Sequence, residues 1–444
     1  MRYTNDSPLM LHRTSQQDVD DGRILTLDKG DGVYLEDSDG NRYMDLNSGL
    51  TRPVCLGYGN KEVADAVHEQ MLRLAYVTPC GWANEPAMLL AGRIAELAPG
   101  DINTVTFECS GSEAVEAAMK LARLYHYNKG GKQRFKVVSR IGAYHGVNGL
   151  ALRALGSVLP MRLMFEPTAP GGVFVHSPYC YRCPYKMTYP NCDMYCVTTT
   201  EETILREDPD LIAAFIGEPF QQGFGSYGPV PEYWPMIRAI CDKYDIMLIM
   251  DEVICGFGRT GKMFGIEHFG VVPDIMTMGK CMSSGYLPLG AVGISDTVRE
   301  GIDNFMHLHT YGNYPVCCAA GLATLDVIMR ENLVRRSAEM GEYLLGALRD
   351  RLSDSPSAGE IRGKGLWVSV DFTTDKTART LFPAASLSGI VARALRRGFI
   401  TRAMGGSAIE LAPSFIITRE QVDAFVEAFA LCVAEEEKAI GLRK

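Results

Sequence analysis

The sequence predicts an α/β protein, with a large unit on a mostly parallel sheet and a smaller α+β unit joined by the N-terminal segment. Three observations lead there. Between about residues 100 and 295, short apolar β-rich runs alternate with longer amphipathic ones, the pattern of strands linked by crossover helices. After that the chain turns to long helical periodicity interrupted by isolated strands. Near the start, two short runs flank a Ser-Asp-Gly turn.

In chain order, Gly32–Asp37 and Asn41–Asp45 form a hairpin whose turn is Ser38, Asp39 and Gly40. The expected strands of the large unit are Thr104–Glu108, Lys136–Ser139, Ile212–Gly217, Ile246–Met250, Asp274–Met278 and Ala291–Ile294. Ser112–Tyr127 and Pro231–Tyr244 are helices between them. One long helical pattern then runs from about Cys317 to Leu352. A strand at Leu366–Val370, a helix at Leu387–Arg397, strands near Ile400 and Ile409, and a helix from Arg419 complete the chain. The expected division is 1–60 for the N-terminal segment, 61–330 for the large unit and 331–444 for the small one.

Composition narrows the function. With 47% hydrophobic and 22% charged residues over 444, the chain has ample material for a large core. The net charge of −9, without a long basic run, argues against nucleic acid and anionic membrane surfaces as partners. No stretch approaches the roughly 18 apolar residues of a membrane span, and the first residues lack a secretory pattern. Thirteen scattered cysteines read as reduced thiols of a cytoplasmic protein.

Two Gly-rich turns follow strands. Cys109-Ser110-Gly111-Ser112-Glu113-Ala114 feeds a strand into a helix N-terminus, where free amides and the helix dipole favour an anion. Its plainer reading is an ordinary Ser cap. Gly256–Gly261 matches G-x-G-x-x-G, which raises a nicotinamide-dinucleotide dehydrogenase. That motif requires a helix starting inside it and an acid ending the next strand about 20 residues on. Neither is visible here. Elsewhere, one strand ends in Asp251-Glu252 and another in Gly279-Lys280, at the sheet edge where α/β proteins keep their sites. Singly, such residues cap turns or face water. A phosphate turn, an acid and a lysine together form the set that pyridoxal phosphate needs.

On these residues the sequence resembles the class III aminotransferases, fold type I pyridoxal-phosphate enzymes, and most of all the ω-transaminases. The matching stretches are Ser110–Ala114, Ala122–Asn128, Ser139–Gly146, Glu218-Pro219, Asp251–Gly261 and the segment around Lys280. The resemblance implies pyridoxal 5'-phosphate held at its phosphate by Ser110, Gly111 and Ser112, with Tyr144 on the ring and His145 beside it. It implies that Asp251 pairs with the ring nitrogen, Glu218 supports Asp251, Val253 packs on the other ring face, and Lys280 is the Schiff-base lysine and proton shuttle. Thr310 is implied to reach the neighbouring subunit's phosphate, which makes the enzyme a homodimer or dimer of dimers with a large apolar interface.

For substrates, Arg402 resembles the family's carboxylate-binding arginine, and Arg52 and Trp82 lie in segments that line the pocket of relatives. Relatives that use glutamate often carry a glutamate five positions after the Glu-Pro acid. Here that position is Gly223, so Arg402 is expected to swing freely, as in pyruvate-using ω-transaminases. The implied reaction moves an amino group from a primary amine or ω-amino acid to a keto acid. The alternative on the same cofactor is an amino-acid racemase or aminomutase. Finally, Cys180, Cys183, Cys192 and Cys196 have a spacing that allows a structural zinc or iron–sulfur centre, or plain packing of small hydrophobes.

Overall fold

The structure, a computed structural model, describes residues 3–156 and 162–443. Its strands are β1 Leu27–Asp31, β2 Tyr34–Asp37, β3 Arg42–Asp45, β4 Ile102–Glu108, β5 Lys136–Arg140, β6 Gly172–Val175, β7 Ile212–Gly217 and β8 Met247–Asp251. They continue with β9 Ile275–Met278, β10 Gly290–Ser295, β11 Ala358–Gly363, β12 Val368–Phe372, β13 Phe399–Ile400, β14 Arg402–Met404 and β15 Ala408–Leu411.

The central sheet has seven strands in the order β4-β10-β9-β8-β7-β5-β6. Neighbours from β9 to β6 pair in parallel, while β10 lies antiparallel to both β4 and β9. All residues of β7, β8, β9 and β10 are buried, which explains why they read as unbroken apolar runs rather than alternating ones. The helix Gly111–Asn128 covers one face with Ala114, Ala117, Ala118, Leu121 and Ala122. Small residues in that stripe let the helix lie close to the sheet.

Two four-stranded sheets flank this layer, β1-β2-β3-β13 and β11-β12-β15-β14. β13 pairs in parallel with β3, Phe399 opposite Met44, so residues some 350 positions apart share one sheet and tie the start of the chain to its end. The hairpin turn between β2 and β3 is organised by Asp37, whose Oδ1 accepts the amides of Asp39 and Asn41 at 3.0 and 2.9 Å. The architecture is the fold type I arrangement that the resemblance implies.

Several expectations change in detail. The helical pattern from Cys317 to Leu352 is two helices, Pro315–Arg330 and Leu333–Arg351. Asn332 breaks them with φ 52°, a left-handed conformation that Asn tolerates better than most residues. β1, β6 and β11 were not foreseen, and the strand expected from Leu366 begins at Val368.

The G-x-G-x-x-G segment begins no helix; a short 3-10 turn, Gly265–His268, follows it. The segment is a strut. Buried Arg259 donates from Nη1 to the carbonyls of Leu366 and Pro413 at 3.0 and 2.6 Å, and its guanidinium lies 4.7 Å above the Phe415 ring. Each charge-assisted bond is worth roughly 1.5–3 kcal/mol, and unpaired buried carbonyls cost extra. Arg259→Leu is therefore expected to lower folding stability by about 3 kcal/mol or more, seen as a fall in the urea midpoint. An unchanged midpoint would show that the strut carries no load.

Candidate active site

The carboxyl ends of β4, β5, β7, β8 and β9 open on one edge of the central sheet and deliver a different group each. A cavity of about 150 Å³ lies there. It is lined by Ser110, Gly111, Ser112, Tyr144, His145, Glu218, Asp251, Val253 and Lys280, all expected from the sequence, and by Gly146 and Ile254, which were not.

At the anion end, Ser110 caps the helix Gly111–Asn128 by accepting the Glu113 amide at 3.3 Å. The cap reading holds. The amides of Gly111 and Ser112, next to the cap, have no partner among the described residues and point out of the first helical turn. Gly146 must be glycine: its φ is 106°, and a Cβ would overlap Ser112 Oγ. A Cβ on Gly111 would stand 2.7 Å from Val253 Cγ1.

At the acid end, three donors converge on Asp251, which is 3% exposed. Thr277 Oγ1 donates to Oδ1 at 3.0 Å, the Val253 amide to Oδ1 at 3.1 Å, and His145 Nδ1 lies 2.7 Å from Oδ2. An ionised carboxylate only accepts, so Nδ1 of His145 carries the proton. Thr277 reaches Asp251 because the two are register partners across β8 and β9. Glu218, expected to support Asp251, makes no direct bond to it among the described residues. Its Oε1 accepts the amides of Tyr144 and Gln222, both at 3.3 Å, and Arg140 approaches Oε2 at 3.7 Å. Glu218 therefore holds the turn that carries Tyr144 and His145, and burial pushes its carboxyl up. Glu252, beside Asp251, accepts the Gly265 and Ile266 amides, both at 2.8 Å, and is pushed up to about 8 by burial.

Lys280 opens a short 3-10 turn with φ 46°, a strained backbone of the kind that collects at functional sites. Burial, and then the positive charge of Arg52, push its ammonium down to about 8, against the opposing pull of Asp251. Arg52 itself is 2% exposed and pairs with Glu410. Its guanidinium shapes the field at Lys280 and turns Nη1 to Glu410, while Nε has no partner among the described residues. Arg402 donates to the Leu50 carbonyl at 2.8 Å and is pushed down to about 10 by burial and by Arg52, with Tyr144 among its electrostatic neighbours.

Trp82, 68% exposed, and Thr310, also exposed, lie outside this cavity. Cys180, Cys183, Cys192 and Cys196 line a separate void of about 30 Å³. Among the described residues, the groups whose ligand atoms all come within 4.8 Å of one another are two others.

Three glycines pack backbone to backbone beside the site. A Cβ on Gly223 would overlap the Gly142 carbonyl oxygen, and one on Gly405 would stand 2.8 Å from the Gly223 oxygen. No side chain fits at position 223 on this backbone, so none reaches Arg402 from there.

The class-III aminotransferase family profile matches residues 16–433. The chain is similar to the diaminobutyrate–2-oxoglutarate transaminase of Halomonas elongata, at 38% identity over 91% of this chain and 88% of that protein. It is 35% identical to the putrescine–pyruvate aminotransferase of Pseudomonas aeruginosa, over 94% and 92% of the two chains. Among solved structures, a thermostable (S)-enantioselective ω-transaminase from Thermomicrobium roseum superposes with TM-score 0.91 at 41% identity, covering 97% of this chain and 96% of that one.

Overpacking a close backbone contact costs roughly 1–3 kcal/mol. Gly223→Ala is expected to destabilise the fold by about that much, with a lower urea midpoint. Unchanged stability would mean that the three glycines are not in tight contact.

Proposed function

The chain belongs to the class-III aminotransferases, and we propose that it moves an amino group from a primary amine or ω-amino acid to pyruvate in preference to 2-oxoglutarate. The family and the named relatives favour transamination over a racemase or aminomutase reaction. The observation that carries the proposal is the cavity with free helix amides at one end, a triply bonded carboxylate at the other and a depressed lysine between them in character.

These residues fit pyridoxal 5'-phosphate, the cofactor of the family. The Gly111 and Ser112 amides suit its phosphate, Tyr144 and Val253 offer walls for its ring, Asp251 matches a protonated ring nitrogen, and Lys280 matches its aldehyde. When bound, the cofactor supplies a carbonyl that condenses with amines and an electron-poor ring that stabilises negative charge on a substrate carbon. The chain does the rest. His145 and Thr277 fix both oxygens of Asp251, so the acid keeps one orientation. Lys280, held near 8, has a substantial neutral fraction at neutral to mildly alkaline pH, which suits taking a proton from the substrate Cα and giving it back at another carbon.

Pyruvate is proposed because Gly223 gives Arg402 no acidic gate, and because the Pseudomonas relative is a pyruvate enzyme. The Halomonas relative uses 2-oxoglutarate, so acceptor choice is the point to test. The division into 1–60, 61–330 and 331–444 belongs to the same reading, as does a cytoplasmic setting, which suits thirteen free thiols. No helix among the described residues is long and apolar enough to cross a membrane.

A homodimer, or a dimer of dimers, is proposed from the exposed apolar side chains of Leu72, Trp82, Met88, Met306, Leu308 and Tyr311. Tyr76 and Tyr311 join the two chain segments that carry them, with ring centroids 6.2 Å apart. Thr310, exposed between Leu308 and Tyr311 in the chain, is proposed to reach the neighbouring subunit's phosphate.

Borohydride reduction after adding pyridoxal phosphate is expected to place the label on Lys280, with a labelling rate that rises through about pH 8. Only the neutral amine attacks an aldehyde, and Lys280→Ala should remain unlabelled. A label on another lysine overturns the assignment.

A charged, two-bond contact to a keto acid is worth roughly 1.5–3 kcal/mol. Arg402→Ala should therefore lower kcat/KM for pyruvate by about 10- to 150-fold and spare a neutral amine donor. Single-turnover measurement of each half-reaction decides it, since equal losses in both would rule out a selective carboxylate anchor.

A further inference from the structure

The carboxylate of Glu108, the last residue of β4, is 1% exposed, yet no Lys or Arg ion-pairs with it among the described residues. It faces two imidazoles. His309 Nε2 contacts its Oε2, and His307 Nε2 lies 3.5 Å from the same oxygen. Lys120, from the helix Gly111–Asn128, places Nζ 3.3 Å from His307 Nδ1. Glu113, the other nearby acid, is occupied with the Cys109 amide at 2.8 Å.

Three groups so close, with ligand atoms all within 4.8 Å, resemble a metal site. The tautomer argues otherwise. A lysine ammonium only donates, so His307 Nδ1 must accept. Nε2 then carries the proton and faces Glu108 Oε2 at 3.5 Å without closing a hydrogen bond, so in this tautomer it offers no metal-binding lone pair there. The cluster is a clamp closed by the His309 contact to Glu108, with His307 held beside it by Lys120.

What it clamps is specific. The segment from 306 to 310 alternates, with Met306 (88% exposed), Leu308 (64%) and Thr310 outward and His307 and His309 inward. Its far end is zipped to β4: the Asn313 amide donates to the Phe107 carbonyl at 3.1 Å, and the Phe107 amide donates to Asn313 Oδ1 at 2.9 Å. Glu108 in turn lies two residues before Ser110, which caps the anion-binding helix.

We propose that Glu108, His307 and His309 are positioning residues that fix the outward register of Thr310 and join the phosphate turn of one subunit to the segment serving its partner's. The inference rests on the cofactor and dimer reading above. Because Glu108 touches both elements, the geometry of each phosphate site constrains the other.

Apoprotein is titrated with pyridoxal phosphate and with pyridoxal, which differs only in lacking the phosphate. Glu108→Gln and His309→Ala should raise the Kd for pyridoxal phosphate about tenfold, the weight of one hydrogen bond to a charged group. The Kd for pyridoxal should stay unchanged. Glu108→Gln combined with Thr310→Ala should bind no more weakly than Thr310→Ala alone, since the clamp acts through Thr310. Equal weakening of both ligands, or additive effects in the double variant, would overturn the clamp alone. One zinc per subunit in purified protein, lost in His309→Ala, would overturn it in favour of a metal site. A wild-type protein binding neither ligand would sink the cofactor reading and the clamp with it.

Discussion

A carboxylate at the end of a fully buried strand is the constraint around which this molecule is arranged. Asp251 sits on β8 with neighbours on both sides, and removing an ion from water there costs several kcal/mol unless donors surround it. The donors come from three places. Thr277 arrives through strand register, Val253 through the turn that follows, and His145 through a loop returning from β5. Each fixes a piece of chain that also lines the cavity. The same demand accounts for Gly146, which lets the His145 loop close against Ser112 at the anion end. The charge thus sets the distance between the two poles of the site.

A second layer of buried charge holds this arrangement in place. Arg140 reaches the Glu218 carbonyl at 2.5 Å and packs 4.9 Å from the Trp234 ring, so the β5 and β7 ends are joined behind the cavity. Arg52 and Glu410 do the same between the N-terminal segment and β15. Buried pairs of this kind contribute little net stability compared with apolar packing, but they tolerate few alternative geometries. Their value here is in placement. The Arg52 pair keeps a positive charge beside Lys280.

The chemistry was more legible in the sequence than the scaffolding that positions it. Asp251 and Lys280 stood out because apolar strands end abruptly in polar residues, and Ser110–Ala114 because small residues bridge a strand and a helix. Thr277 was hidden: it looks like one more β-branched residue in a strand, and only register makes it a partner of Asp251. Glu108, His307 and His309 were hidden by sequence separation of some 200 residues. Asn332 escaped because helical periodicity continues on both sides of a single left-handed residue. Arg52 could be placed near the site, but its pairing with Glu410 depends on a strand more than 350 residues away.

The stack of Gly142, Gly223 and Gly405 has an evolutionary consequence. A substituent on any one of the three runs into a neighbouring backbone or side chain: Gly142 meets Phe224 at 2.5 Å, Gly223 meets Gly142, and Gly405 meets Gly223. A lineage carrying this backbone meets a stability cost of roughly 1–3 kcal/mol or more for any side chain acquired at position 223 by one amino-acid replacement. To avoid that cost it would first have to separate three loops drawn from distant parts of the gene, with no gain until the last had moved. Acceptor preference in such a lineage is insulated from gradual drift at this position, and diversification is channelled towards the walls of the pocket that are still free to vary.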